Sequence, residues 1–236
     1  MIFILEPYIT NLGRYNEGHL DGEFLKLPAT TEEVQALLKR IHIDGVRYEE
    51  IFITDYETDI DGLYKLLGEY ESIDELNYLA FLLNDMDESE VAKYAAAVEH
   101  GGHVGSVKDL INLAQNLDCY EFYPDIVDED GLGWYYIEDM CALDVPGHLR
   151  NYINYEAYGR DIAMDEDGSF IDSGYIVENG GSFIEHYNGR DDIPDEYRIF
   201  AYPEPEKSIK KAIETFSRIA SEAPATDRPR PAIAER

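Results

Sequence analysis

The chain has 236 residues, enough for one large domain or two to three small ones with a buried core. Fifty Asp and Glu against 19 Lys and Arg give a formal net charge of −31, which disfavours direct nucleic-acid binding, since that needs a basic footprint. No apolar run approaches the roughly 18 residues of a membrane span. The opening MIFILEPYITNLG lacks the basic start and small-residue cleavage site of a secretory signal. Cys119 and Cys141 are accordingly expected as buried thiols in a reducing cytoplasm.

The pattern predicts an α+β fold in three segments. In residues 1–61, IFILEPYI and GEFLKLP read as strands joined by NLGRYNEGHLD, whose Gly and Asn suit turns. Thr30-x-x-Glu33 is a capping box for the helix TEEVQALLKRI, with Val34, Leu37, Leu38 and Ile41 at helical spacing. YEEIFITDY then reads as a strand with Ile51 and Ile53 on one face. The order of elements predicts a small mixed sheet carrying one helix.

Residues 62–117 change to a helical unit. A short helix follows Gly62, Ser72-x-x-Glu75 caps SIDELNYLAFLLNDM, DESEVAKYAAAVEHGG stops at Gly101, and Ser106-x-x-Asp109 caps SVKDLINLAQNL. The two Ser-capped segments share a pattern, but two copies fall short of a solenoid. In residues 118–203, YEFYP and YYIED read as strands flanking the acidic turn VDEDGLG. VPGHLRNYINYEAYGRDIA reads as a helix with Leu149, Ile153, Tyr152 and Tyr155 inward, and SFIDSGYIVENGGSFIEHY as a hairpin. Residues 204–236 hold an amphipathic helix, with Ile209, Ala212, Ile213, Phe216 and Ile219 on one stripe, and a Pro-rich tail expected to be disordered.

The charge is uneven along the chain. Residues 1–178 hold 39 acids and 10 bases, a net of −29, whereas 179–236 hold 11 and 9, a net of −2. The densest stretch, CYEFYPDIVDEDGLGWYYIED at 119–139, interleaves seven carboxylates with six aromatics and has no base. Self-repulsion on this scale destabilises a compact fold, so the acid serves a purpose.

Catalytic and metal chemistry find weak support. Glu57-x-Asp59-x-Asp61-Gly62 opens like a calcium loop, but its twelfth position is Gly68, where a bidentate Glu is needed. The acidic turns at Asp165–Gly168 and Asp128–Gly131 have Ala163 and Ile126 in the first ligand position. His100-x-x-His103 has no nearby Cys to make a zinc site. A glycosidase needs one defined carboxylate pair, and 50 carboxylates single out none. There is no nucleophile elbow, Walker loop or GxGxxG. No catalytic residue, metal ligand or cofactor is therefore assigned, and the chain is read as a non-enzyme. The 19 tyrosines, many beside an acid, suit half-buried positions with wet hydroxyls or an interface.

Charge presentation remains. Duplex DNA carries one negative charge per roughly 1.7 Å of axis, and a rigid surface of carboxylates at comparable density can occupy a basic groove in its place. The carboxylates assigned to that surface are Glu49, Glu50, Asp55, Glu57, Asp59, Asp61, Glu69 and Glu71 in the first part. Asp74, Glu75, Asp85, Asp87, Glu88, Glu90 and Asp118 follow in the middle. Glu121, Asp125, Asp128, Glu129, Asp130, Glu138, Asp139 and Asp144 complete it. An acidic calcium- or glycan-binding domain, or an adaptor for another basic protein, stays open as an alternative.

Three blocks carry a family resemblance: IFILEPYITNLGRYNEGHLDGEFLKLPATTEEVQALLKRI, SIDELNYLAFLL, and YYIEDMCALDVPGHLRNYINYEAYGRDIAMDEDGSFI. Together they span most of residues 2–178, with NLGRYNEG and NYINYEAYGRD the most specific, and they resemble the ArdA family of antirestriction proteins. The resemblance implies a mimic of B-form DNA that fills the DNA-binding groove of type I restriction–modification enzymes, as an elongated homodimer of three small domains. Tyr135, Tyr136, Ile137, Leu143, Val145 and Leu149 are the expected dimer contact, because they gather charge-free area in the third segment. Residues 179–236 extend past the family core.

Overall fold

The structure is a computed structural model that describes residues 4–203; the helix expected within 204–236 and the tail after it lie outside the described residues. β1 (Leu5–Asn11) is the central strand of an antiparallel sheet, with β2 (Gly22–Phe24) on one side and β3 (Ile51–Thr58) on the other. A β-bulge at Tyr8/Ile9 shifts the register of the β1–β3 ladder. The NLGRYNEG segment, expected as a turn, contains the short helix α1 (Leu12–Asn16), because the Asn11 side chain accepts the Arg14 N–H and starts it. α2 (Thr31–Arg40) begins at the expected box, with Thr30 and Glu33 capping each other reciprocally. Its Val34, Leu37 and Leu38 join Leu5, Ile9 and Ile53 in the core, so Ile53 is inward as its alternation predicts.

The middle holds a 3₁₀ turn (Leu63–Lys65) and three helices: α3 (Ile73–Asp85), α4 (Glu88–His100) and α5 (Val107–Ala114). Ser72 and Ser106 cap as expected, and Asp87 caps α4 in a box with Glu90. Gly101, at φ 93°, ends α4 in the left-handed conformation that glycine adopts without a steric penalty. The expected segments share one core: buried residues from Leu5 to Ile199 form a continuous cluster through the first sheet, α2 and all three middle helices. The described residues belong to a single unit that ends at Pro203, so the expected three-part division is not seen as three cores.

The second sheet, β4 (Tyr120–Tyr123), β6 (Gly174–Glu178) and β5 (Ser169–Ile171), is antiparallel in the order β4-β6-β5. β6 is buried on both faces, and its alternation divides it between two cores. Ile176 joins the main cluster, whereas Tyr175 and Val177 pack with Ile126 and Leu132 in a small second cluster. α4 touches this sheet, and the second cluster brings in Leu132 of α6 (Glu129–Trp134) and Ile162 and Ala163 of α7 (Tyr155–Glu166).

Three expectations for this region are corrected. YYIED is not a strand: Tyr135–Asp139 continues α6 as a wider π turn. Asp128 starts the helix by accepting the Gly131 N–H at 2.8 Å, so VDEDGLG is a cap and first turn. The aromatic run has strand propensity, but packing against α7 overrides it. A Cβ on Gly133 would lie 1.9 Å from the Tyr155 carbonyl oxygen, and one on Gly159 1.9 Å from that of Glu129, so the two backbones meet at glycines. Second, the helix expected from Val145 begins only at Tyr155, where Asn154 caps it, after a separate 3₁₀ turn at Arg150–Tyr152. Leu149 and Tyr152 are exposed rather than inward. Third, the hairpin ends at Glu178, and the rest of its expected span is not strand. Cys119 is buried as expected, but Cys141 is exposed.

Residues 179–203 run over the middle helices as a strap. Asn112 accepts the Tyr187 N–H at 2.9 Å and donates to its carbonyl at 2.8 Å; Asn116 does the same for Ile184, both contacts at 2.9 Å. Two carboxamides four residues apart thus satisfy backbone groups as a neighbouring strand would. Further along, Gln35 donates to the Tyr202 carbonyl, and the Tyr202 hydroxyl donates to that of Glu49.

Candidate partner-binding surface

The strap decides which carboxylates are free. Glu75 is buried, accepts the Tyr187 hydroxyl at 2.9 Å and pairs with Arg190 at 3.0 Å. Asp74 accepts both the Ile199 and Phe200 N–H groups at 2.7 Å. Both residues, assigned from sequence to the mimic surface, are therefore spent on holding the strap. Glu138 is also engaged: it accepts the Tyr155 hydroxyl at 2.6 Å and pairs with Arg150 at 2.8 Å, which leaves its side chain 11% exposed. The hydrogen bond to this carboxylate, followed by burial, pushes the Tyr155 hydroxyl pKa up.

Most of the other assigned carboxylates are exposed: Glu49, Glu50, Asp55, Glu57, Asp59, Asp61, Glu69, Asp85, Asp87, Glu88, Glu90, Asp118, Glu121, Asp125, Asp128, Asp130, Asp139 and Asp144. Glu71 and Glu129 are half-buried. Several also cap or brace the backbone. Asp59 accepts the Ile4 N–H, Glu71 that of Gly68, and Asp87 those of Ser89 and Glu90. The Asp87 bonds hold its carboxyl below the usual carboxylate range, the Glu90 N–H contributing most. Glu57 stands directly opposite Glu6 across the β1–β3 ladder, a like-charge pair that costs stability.

The expected dimer contact is divided by the structure. Ile137 is buried, and Tyr135 and Tyr136 are half-buried against the second cluster, with Tyr136 donating to Glu166 at 2.5 Å. Leu143 and Leu149 are exposed and Val145 half-buried. They share the 118–178 region with exposed Trp134, Met140, Tyr152 and Met164, an area of uncovered apolar side chains.

Among the described residues no group of three or more His, Cys, Asp or Glu is placed to hold a metal ion, and no helix is long and apolar enough to cross a membrane. The two histidines of the His100-x-x-His103 motif have other partners: His100 meets the Ser169 hydroxyl at 2.9 Å, and His103 stacks on Phe183 at 3.6 Å. Sequence reasoning missed the strap and a cavity of about 470 Å³ formed between β4 and α6 by residues of the 119–139 stretch. The only available signal for the cavity was the interleaving of aromatics and acids that singled that stretch out.

The family model described as antirestriction protein (ArdA) matches residues 7–177, which takes in nearly all of both sheets and the seven α-helices of the described residues and stops where the strap begins. No curated protein matches the chain. With well over half of its length inside that match, the chain belongs to the ArdA family of antirestriction proteins.

Proposed function

We propose that the protein inhibits type I restriction–modification enzymes by presenting the charge of duplex DNA to their DNA-binding groove. Family membership supports the antirestriction function. The observation that carries the mechanism is the run of exposed carboxylates from Glu49 to Asp144, most of them without a Lys or Arg partner among the described residues. Carboxylates take the place of phosphates opposite Lys and Arg of the target, and no bond is made or broken. The exposed apolar area around Leu143 and Leu149 suits a homodimer contact that would lengthen the acidic surface.

The test is DNA cleavage by a type I restriction enzyme with and without the protein, beside a type II enzyme as control. Inhibition of the first alone is expected, and it should weaken steeply as salt rises. Because the charge is distributed, a single Asp59→Asn change should alter inhibition less than about threefold, on the scale of one exposed pair. Abolition by that one change, with the fold intact, would contradict the mechanism.

A further inference from the structure

The 119–139 cavity sets aromatic rings and carboxylates around one concave space. Trp134, Tyr135 and Tyr123 contribute ring surface, and Asp125, Asp130 and Asp139 contribute carboxylates. Tyr123 and Tyr135 brace each other, with ring centroids 5.1 Å apart. All three aspartates are exposed, and none of their carboxylates has a hydrogen bond or ion pair among the described residues, unlike that of neighbouring Glu138 with its Arg150. No base lines the cavity.

We propose that this cavity is a socket for one arginine side chain of the protein partner, an anchor point within the otherwise diffuse charge contact. The inference rests on the reading given under Proposed function, that the partner is a basic protein surface. Guanidinium is planar and weakly hydrated, stacks on aromatic faces and offers paired N–H donors to carboxylates. A lysine ammonium is more strongly hydrated and lacks the flat face. An anion is repelled by three unpaired carboxylates. A second copy of this chain is poorly matched, since residues 118–178 hold only two bases, Arg150 and Arg160, and Arg150 is already paired.

Trp134 is the only tryptophan in the chain, so its fluorescence reports on the socket directly. The full chain is titrated at constant ionic strength with N-acetylarginine amide, and with N-acetylglutamine amide as the neutral control. A saturable change in the millimolar range with the arginine compound alone is expected. The triple variant D125N/D130N/D139N should weaken that response roughly tenfold. The variant E32Q/E99Q/D161N, which removes the same charge from exposed positions elsewhere, should leave it within about twofold. Equal weakening by both variants overturns the socket in favour of bulk charge. A change that follows protein concentration instead of the arginine compound overturns it in favour of self-contact. No response to arginine, while the protein still blocks a type I restriction enzyme, overturns the socket and leaves the charge-mimic reading standing. Arginine binding without any block would sink that reading and keep the socket.

Discussion

The two sheets solve the same structural problem with different resources. Each is antiparallel, has three strands and carries helices, yet the first lies within the main core and has bases set against its acids. Arg14 pairs with Asp21, Arg40 with Glu23 through two bonds of 2.8 Å, and Arg47 with Glu17. Around the second sheet, residues 118–178 have one ion pair among the described residues, Arg150–Glu138, and the face toward α6 and α7 is closed by four buried residues. Tyrosine does much of the remaining packing there: Tyr123, Tyr135, Tyr136 and Tyr175 form an aromatic set, with Glu166 accepting two of their hydroxyls. Where few bases stand against the carboxylates, the packing is done by side chains that are apolar in body and polar at the tip.

The strongest challenge to this contrast is Gly159→Ala. The new Cβ would meet the Glu129 carbonyl, which is backbone and cannot swing aside, and should cost on the order of 3 kcal/mol. Thermal unfolding followed by Trp134 fluorescence and by far-ultraviolet dichroism checks it. Loss of the Trp134 signal ahead of the helical signal supports two regions of unequal stability; coincident loss shows one cooperative unit and breaks the comparison.

A second measurement uses alkali. Burial, followed by the neighbouring Tyr135 hydroxyl, pushes the Tyr123 pKa up to about 12, and burial together with Glu166 raises Tyr136 and Tyr175. Each hydroxyl holds its proton more tightly in the folded chain than in the unfolded one, where tyrosine titrates near 10. Their contribution is therefore fully present below about pH 10 and is lost as pH rises toward 12. Trp134 fluorescence across that window should change before hydrogen-exchange protection of β1 and α2 does.

The smallest effect is expected at the first sheet. Arg40→Ala removes a bidentate pair whose side chains are 55% and 42% exposed, so about 0.5 kcal/mol should go, and less at high salt. Denaturant midpoints at low and high salt check this. A cost several times larger would mean that the first sheet depends on charge balance much more than exposed pairs normally allow.

What was legible in the sequence followed from distance along the chain. The caps at Thr30, Ser72 and Ser106 act within three residues of themselves, and each begins the expected helix. YYIED was misread because a short aromatic run has no period of its own, and the deciding contact is between Gly133 and a helix about twenty residues on. The acidic character of the surface was legible from counting, but its membership was not. Glu75 looked like any first-turn acid until Arg190, 115 residues away, removed it from the free set. Asn112 and Asn116 gave no signal, since their partners are backbone groups 75 and 68 residues distant.

The strap also sets a timetable for biosynthesis. When α3 and α5 have been translated, the carboxamides of Asn112 and Asn116 can already donate to the Lys108 and Asn112 carbonyls, but they and the carboxylate of Glu75 still lack their partners in the strap. Those partners lie between residues 184 and 190, and the ties back to Gln35 and Glu49 wait for Tyr202. Closing a loop this long adds little entropy cost beyond a shorter one, because that cost grows only with the logarithm of length. Its effect is on order: the first sheet and middle helices can assemble while the chain is emerging, but their polar seam stays hydrated until nearly all of the described chain has been made.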